Sequence, residues 1–365
     1  MTLQRPVRDT RLDLLRGWLQ LQIFASHAHG SLIGAWLISA AWGFSDSSEQ
    51  FVYLSGFALG SVFTLKAHRG GWRAGVADLL PRIRRLWATH LVVVCGMAAM
   101  VIAVEMATPL PGEAGRLGWG WLLAAPWFAL PGAATLLWQP TGMGILPVFL
   151  WSMLLLPGFA WLVERVGAWA LLPSFALYGA VQAWGWHLPG LGGTEVEFNP
   201  LAWQLLFVLG AWFGRRALFR GRAVGVNRWL LGGALLVLAA GVLGKLAEHQ
   251  GVADLSALTL KQDLAPARVL HSLALAYAVV CLWRVREVAL RGPLARALAA
   301  AGRQSLHVFC VGLFLSHGVA VLFRLLGWTP WLELLVVAGC VALLGFASLS
   351  DGVPRLTRAL KGFQK

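Results

Sequence analysis

Charge is what this sequence has least of. Asp, Glu, Lys and Arg make up 13% of its 365 residues, about half the share of an ordinary soluble protein. That excludes a water-facing globular domain of this length. Acid is scarcest, with 16 Asp and Glu against 30 Lys and Arg. Cysteine is nearly as thin. Cys95, Cys281, Cys310 and Cys340 lie inside apolar runs, without CxxC or paired His/Cys spacing. Neither a disulfide framework nor a metal site is expected from them. No repeat of fixed period and no low-complexity tail is visible. The first apolar run is too long for a secretory signal and carries Arg16, so no cleavable signal peptide is expected.

What is present is hydrocarbon: 58% of residues are hydrophobic. The reading is an all-α polytopic membrane protein, a single domain over 1–365. About 20 apolar residues make a span. Ten are placed, at 14–38, 48–65, 86–107, 142–163, 168–187, 200–214, 229–246, 266–283, 305–323 and 331–349. The segment 119–138, WGWLLAAPWFALPGAATLLW, is apolar but interrupted by Pro126 and Pro131. It is expected to be re-entrant or interfacial. With both termini in the cytoplasm, 25 of the 30 basic residues fall on the inner side, as the positive-inside rule requires. The net charge of +14 then reports topology, and no nucleic-acid partner is expected. The topology this implies is a multi-pass membrane protein with its N-terminus and C-terminus in the cytoplasm. The 20 tryptophans suit interfacial belts, and some outer ones could stack on sugar rings. Gly56 and Gly60 form a GxxxG, a close-packing device.

Against this background a few polar residues stand out. Arg16 and His27 share the first apolar segment, separated by ten residues. Eleven positions on an α-helix are about three turns and about 16 Å of rise, so both lie near one face. A cation and an imidazole in a span are costly without partners or work. Asp13, one turn before Arg16, can pair with it. Imidazole suits deprotonation of a hydroxyl. Arginine suits phosphate, and Arg82, Arg84 and Arg85 stand on the same expected side as Arg16. Further histidines at His90, His271, His307 and His317 suggest a shared polar cavity. Asp46 and Glu49 lie one helical turn apart, with Ser45 or Asp46 a natural N-cap.

Six blocks then carry a family resemblance. RDTRLDLLRG (8–17), GFSDSSEQFVYLSG (43–56), GILPVFLWSMLLLP (144–157), FNPLAWQLLFVLGAWFG (198–214), LAPARVLHSLALAY (264–277) and GRQSLHVFCVGLFLS (302–316) resemble, in order, the OpgC family. That family is similar to the acyltransferase-3 group, whose hallmark is Arg or Lys, ten residues, then His on the first span. The resemblance implies an inner-membrane O-acyltransferase. It would move an acyl group, succinyl favoured over acetyl, from cytoplasmic acyl-CoA to a hydroxyl of a periplasmic glucan or other glycan, without a metal.

The same resemblance implies that His27 is catalytic and that Arg16 holds the donor's phosphates; Arg82, Arg84 and Arg85 are read from their charge and expected side as joining it. Asp13, Asp46, Glu49, His90 and His271 would support them. Asn199, Gln204, Lys261 and Arg268 would lie on the acceptor side. The chain departs from the pattern at Ser26 and Gly144, where the family often has Asp. Three rival readings stay open at this stage. One is acetyl transfer to an exopolysaccharide or lipopolysaccharide. The others are a glycan transporter and a non-catalytic partner in glycan export. Oligomeric state is not legible.

Overall fold

The computed structural model describes residues 9–193, 196–285 and 292–362. Helices dominate, and no β-strand occurs among the described residues. In chain order they are α1 (Thr10–His27), α2 (Leu32–Trp36), α3 (Ser47–Gly70), α4 (Trp72–Ala107), α5 (Glu113–Arg116), α6 (Gly120–Ala124), α7 (Pro126–Ala134) and α8 (Ile145–Val166). There follow α9 (Leu172–Trp184), α10 (Pro200–Arg220), α11 (Arg228–His249), α12 (Pro266–Val285), α13 (Pro293–Arg303), α14 (Ser305–Leu326) and α15 (Pro330–Gly362).

Six helical stretches among the described residues are long and apolar enough to cross a membrane. They are Trp72–Ala107, Ile145–Trp184, Arg228–His249, Pro266–Trp283, Ser305–Leu326 and Pro330–Asp351. The chain is thus a helical membrane protein. The expected spans 142–163 and 168–187 run together as one 40-residue stretch, with a 3-10 turn at Gly167–Leu171 where Gly167 takes φ 60°. The expected span 14–38 is not one helix. Its first helix stops at His27, because Gly30 adopts φ 100° and Ser31 caps the next helix from its side chain. Segment 119–138 breaks at Ala125, where Pro126 opens α7, whereas Pro131 lies inside α7 and does not interrupt it. Its two helices, α6 and α7, have 5 and 9 residues, well short of a bilayer.

The chain divides into two compact units. Among the described residues, one holds Val52–Asn227 and Asp254–Leu270; the other holds 9–51, Arg228–Ala253 and those from His271 onward.

In the first unit α3 and α10 meet backbone to backbone. A Cβ at Gly56 would strike the Phe207 carbonyl, and one at Gly60 would strike Ala211. From the other side, Gly210 abuts the Tyr53 carbonyl and Gly214 the Phe57 carbonyl. Two GxxxG pairs therefore face each other, the approach that small residues permit in lipid. Helices α8 and α9 pack on α10, and α8 also packs on α4. The segment just before α12 knits one end of this unit. Gln262 Nε2 donates to the Val196 carbonyl, Trp203 Nε1 donates to the Lys261 carbonyl, and the Tyr178 hydroxyl donates to the Leu264 carbonyl.

In the second unit α1 packs on α13, α14 and α15. Its apolar face, including Leu21, Phe24 and Ala25, joins Val308, Leu332, Val336 and Leu343 in one buried core. Gly17 lies against the Leu298 carbonyl and Gly302 against the Asp13 carbonyl. Arg303 bonds both carboxylate oxygens of Asp351, at 3.0 and 2.7 Å, tying α13 to α15.

A side chain at Gly56 has only fixed backbone to push against. Gly56→Val should lower stability by about 1–3 kcal/mol through overpacking. Gly232 on α11 has nothing within 4 Å of an added Cβ. Gly232→Ala should leave stability unchanged or raise it by up to about 1 kcal/mol. Thermal unfolding of the two variants in detergent checks the contrast.

Candidate functional site

His27 is the last residue of α1. Its Nδ1 lies 2.8 Å from the Ile23 carbonyl. A carbonyl only accepts, so Nδ1 carries the proton and the lone pair of the neutral ring sits on Nε2. Ser26 Oγ lies 3.2 Å from the same Nδ1 and itself donates to the Ile23 carbonyl at 2.8 Å. One main-chain oxygen thus sets the tautomer. An Asp at position 26 would have been the side-chain means to the same end.

The ring borders a narrow crevice between α1 and α14. Gln20, Ile23, Phe24 and His27 line it from α1, and Val308, Phe309, Gly312, Leu313 and Ser316 from α14. Gln20, Ile23, Phe24 and His27 follow the i, i+3, i+4, i+7 spacing of one helical face. Arg16, four residues before Gln20, continues that face and is half-buried. Asp13 is buried nearby on α1, with its carbonyl against Gly302.

The turn that follows His27 is held by a carboxylate from far along the chain. Glu333, in the first turn of α15, accepts from the Ser31 hydroxyl at 2.7 Å, the Leu32 N–H at 2.6 Å, the Ile33 N–H at 3.3 Å and Trp328 Nε1 at 2.9 Å. It supplies the acceptors that the start of α2 needs. Just beyond, Trp36 and Trp42 sit exposed with their rings 6.1 Å apart.

Asp46, Glu49 and His271 form a second cluster in the same unit. Asp46 caps α3 by accepting the Ser48 N–H at 2.7 Å, and Glu49 accepts the Asp46 N–H at 2.9 Å. This is a reciprocal capping box. It accounts for the carboxylate of Glu49, which is 0% exposed. His271 Nδ1 meets Ser45 Oγ at 2.8 Å. Its ring is pressed between Gly43 and Gly241, where a Cβ on either would collide with it. Gln50 Nε2 donates to the carbonyl and hydroxyl of Ser272 at 2.9 and 3.0 Å. None of these residues lines the His27 cleft.

The remaining expected residues belong to the first unit. His90 is fully buried on α4, its Nε2 donating to the Ala133 carbonyl at 3.3 Å. Trp87 Nε1 makes the parallel bond to Ala134 at 2.9 Å. Together they anchor α7. Arg82 pairs with Asp78 at 3.1 Å, one turn back on α4. Arg84 and Arg85 are exposed. Among the described residues, His27 is the one histidine that lines the cleft.

Asn199 is the N-cap of α10, accepting the Leu201 N–H at 3.1 Å. Its amide donates to the Trp186 carbonyl and to Asp263 at 2.8 and 3.0 Å. Gln204 accepts the Ser174 hydroxyl at 2.6 Å and donates to the Ser174 carbonyl at 3.1 Å, joining α10 to α9. Both spend their polar groups on the fold. Arg268 donates to the Thr259 carbonyl at 3.3 Å. Lys261 sits 5.3 Å from the centre of the Phe198 ring.

Glu197 was not among the residues singled out by sequence. Its carboxylate accepts the N–H of Gly142 at 2.9 Å and of Gly144 at 2.6 Å, just before α8. A Cβ at Gly144 would run into Glu197. The Glu197 carboxylate thus fills the space beside position 144. Burial pushes the Glu197 carboxyl above the usual carboxylate range, against the opposing pull of those N–H groups and of Lys261.

Long apolar helices with polar groups buried among them define a polytopic membrane protein. The family model described as OpgC protein matches residues 8–354, so the chain belongs to the OpgC family, which is associated with membrane acyltransfer. No curated protein matches it.

Removing the Glu333 carboxylate strands four donors around the turn after His27. Glu333→Ala should cost about 2 kcal/mol, the scale of hydrogen bonds to a charged acceptor. A lowered melting temperature in detergent checks it; an unchanged one would show that the turn is held by other contacts.

Proposed function

We propose that the protein is an inner-membrane O-acyltransferase that takes an acyl group from cytoplasmic acyl-CoA and places it on a hydroxyl of a periplasmic glucan. Succinyl-CoA is the favoured donor and acetyl-CoA the second. Both units serve one catalytic domain, as the single family match across them supports. Both termini face the cytoplasm, and no metal takes part.

The observation that carries this reading is the bond from His27 Nδ1 to Ile23 at the mouth of an apolar cleft. It leaves Nε2 as the basic atom. The acceptor hydroxyl gives its proton to Nε2 while its oxygen attacks the thioester carbonyl. The carbon–oxygen bond forms, the carbon–sulfur bond breaks, and the proton passes from Nε2 to the departing CoA thiolate. Arg16 binds donor phosphate through its planar fork of N–H groups. Arg84 and Arg85 add positive charge at the inner surface, which draws the anionic donor. The exposed faces of Trp36 and Trp42, just beyond the His27 turn, suit a sugar ring. Asp46, Glu49 and His271 act in support, as a frame at the start of α3.

Purified protein in detergent, offered succinyl-CoA or acetyl-CoA with periplasmic glucan, should release CoA and form glucan esters detectable by mass spectrometry. His27→Ala should slow release by about 10²–10⁴-fold, the range for a lost general base. An unchanged rate in the variant sinks the mechanism. A transporter would change where glucan is found and leave its ester content alone.

A further inference from the structure

Gln20 is 2% exposed, lines the cleft beside His27, and its Nε2 has no hydrogen-bond partner. A buried amide nitrogen without an acceptor is costly, and the cost is steeper in hydrocarbon than in a soluble core. We propose that Gln20 is the docking point for an amide carbonyl on the pantetheine arm of the acyl-CoA donor. This rests on the acyl-CoA reading above and names a residue that the reading does not use.

Position comes first. Gln20 stands on the face shared by Arg16 and His27. It is four residues from Arg16 and seven from His27, about 6 Å and about 10 Å of helix rise. A donor with phosphate at Arg16 and thioester at His27 must lay its connecting arm across position 20. That arm is a thin chain of methylenes interrupted by amides.

Chemistry comes second. Ile23, Phe24, Val308, Phe309 and Leu313 make the walls apolar, and the Ser316 hydroxyl already donates to the Leu313 carbonyl at 3.0 Å. Methylenes suit such walls, and the unpartnered N–H meets an amide carbonyl. A sugar would strand its ring of hydroxyls there.

The test is Gln20→Met, which keeps the length of the side chain and removes the amide. Steady-state kinetics with succinyl-CoA and acetyl-CoA, glucan as acceptor, should show the KM for the donor rising about tenfold, the scale of one lost hydrogen bond. The kcat and the KM for glucan should stay within about twofold of wild type. Without donor, the variant should melt at the same temperature as wild type or higher, since an unpartnered buried amide has been removed. Adding CoA should raise its melting temperature less than it raises that of wild type.

An unchanged donor KM would overturn the proposal. So would a shift that appears in the glucan KM instead, which would make Gln20 an acceptor contact. A fall in melting temperature with a fall in kcat at constant donor KM would make Gln20 a packing residue. Failure of the acyl-CoA reading itself would look different, because the wild type would then release no CoA.

Discussion

Helix α1 lies so close to α13 that glycine alone fits at Gly17 and Gly302. Each contact sets a main chain against a main chain, so the helix can neither slide nor rotate without a clash. That seat fixes which face of α1 looks toward α14. It thereby decides that Gln20, Ile23, Phe24 and His27 line the cleft, while Leu21 and Ala25 go to the core. The Arg303–Asp351 pair holds the seat from behind by tying α13 to α15. The Glu333 carboxylate fixes the chain immediately after His27. A base on a helix whose rotation is set by packing is held in register for chemistry without needing a network of charged neighbours.

That arrangement bears on the two departures from the family's usual residues. Position 26 is Ser, and the tautomer of His27 is set by the Ile23 carbonyl one turn back. The acceptor is a main-chain oxygen, so it does not depend on the side chain at position 26. Position 144 is Gly, and the space is taken by the Glu197 carboxylate, held by two backbone N–H groups.

How much of this was legible follows from how far each interaction reaches. The Arg16–His27 face needs only helical period, and Asp46 with Glu49 needs only the spacing of a capping box; both could be read from the residues. The facing GxxxG pairs were half legible: Gly56 and Gly60 announced themselves, but Gly210 and Gly214 gain meaning only once α3 and α10 are known to meet. The stop at His27 was hidden, because hydrophobicity continues to Ile38 and the break depends on the backbone of Gly30 and the cap at Ser31. Glu333 and Glu197 were invisible, since their partners lie about 300 and about 50 residues away and no local pattern marks them. Asn199 and Gln204 stood out as polar residues in an apolar block. Their polarity is consumed by a helix cap and an interhelical clamp.

The central claim is that the face of α1 from Arg16 to His27 is a track for the acyl donor. The measurement that tests it most directly is a structure of the full chain in lipid with a non-reactive thioether analogue of acyl-CoA. The account predicts phosphate at Arg16, the arm across Gln20, and the acyl carbon beside Nε2 of His27. Density for the analogue anywhere other than the α1–α14 cleft would contradict it.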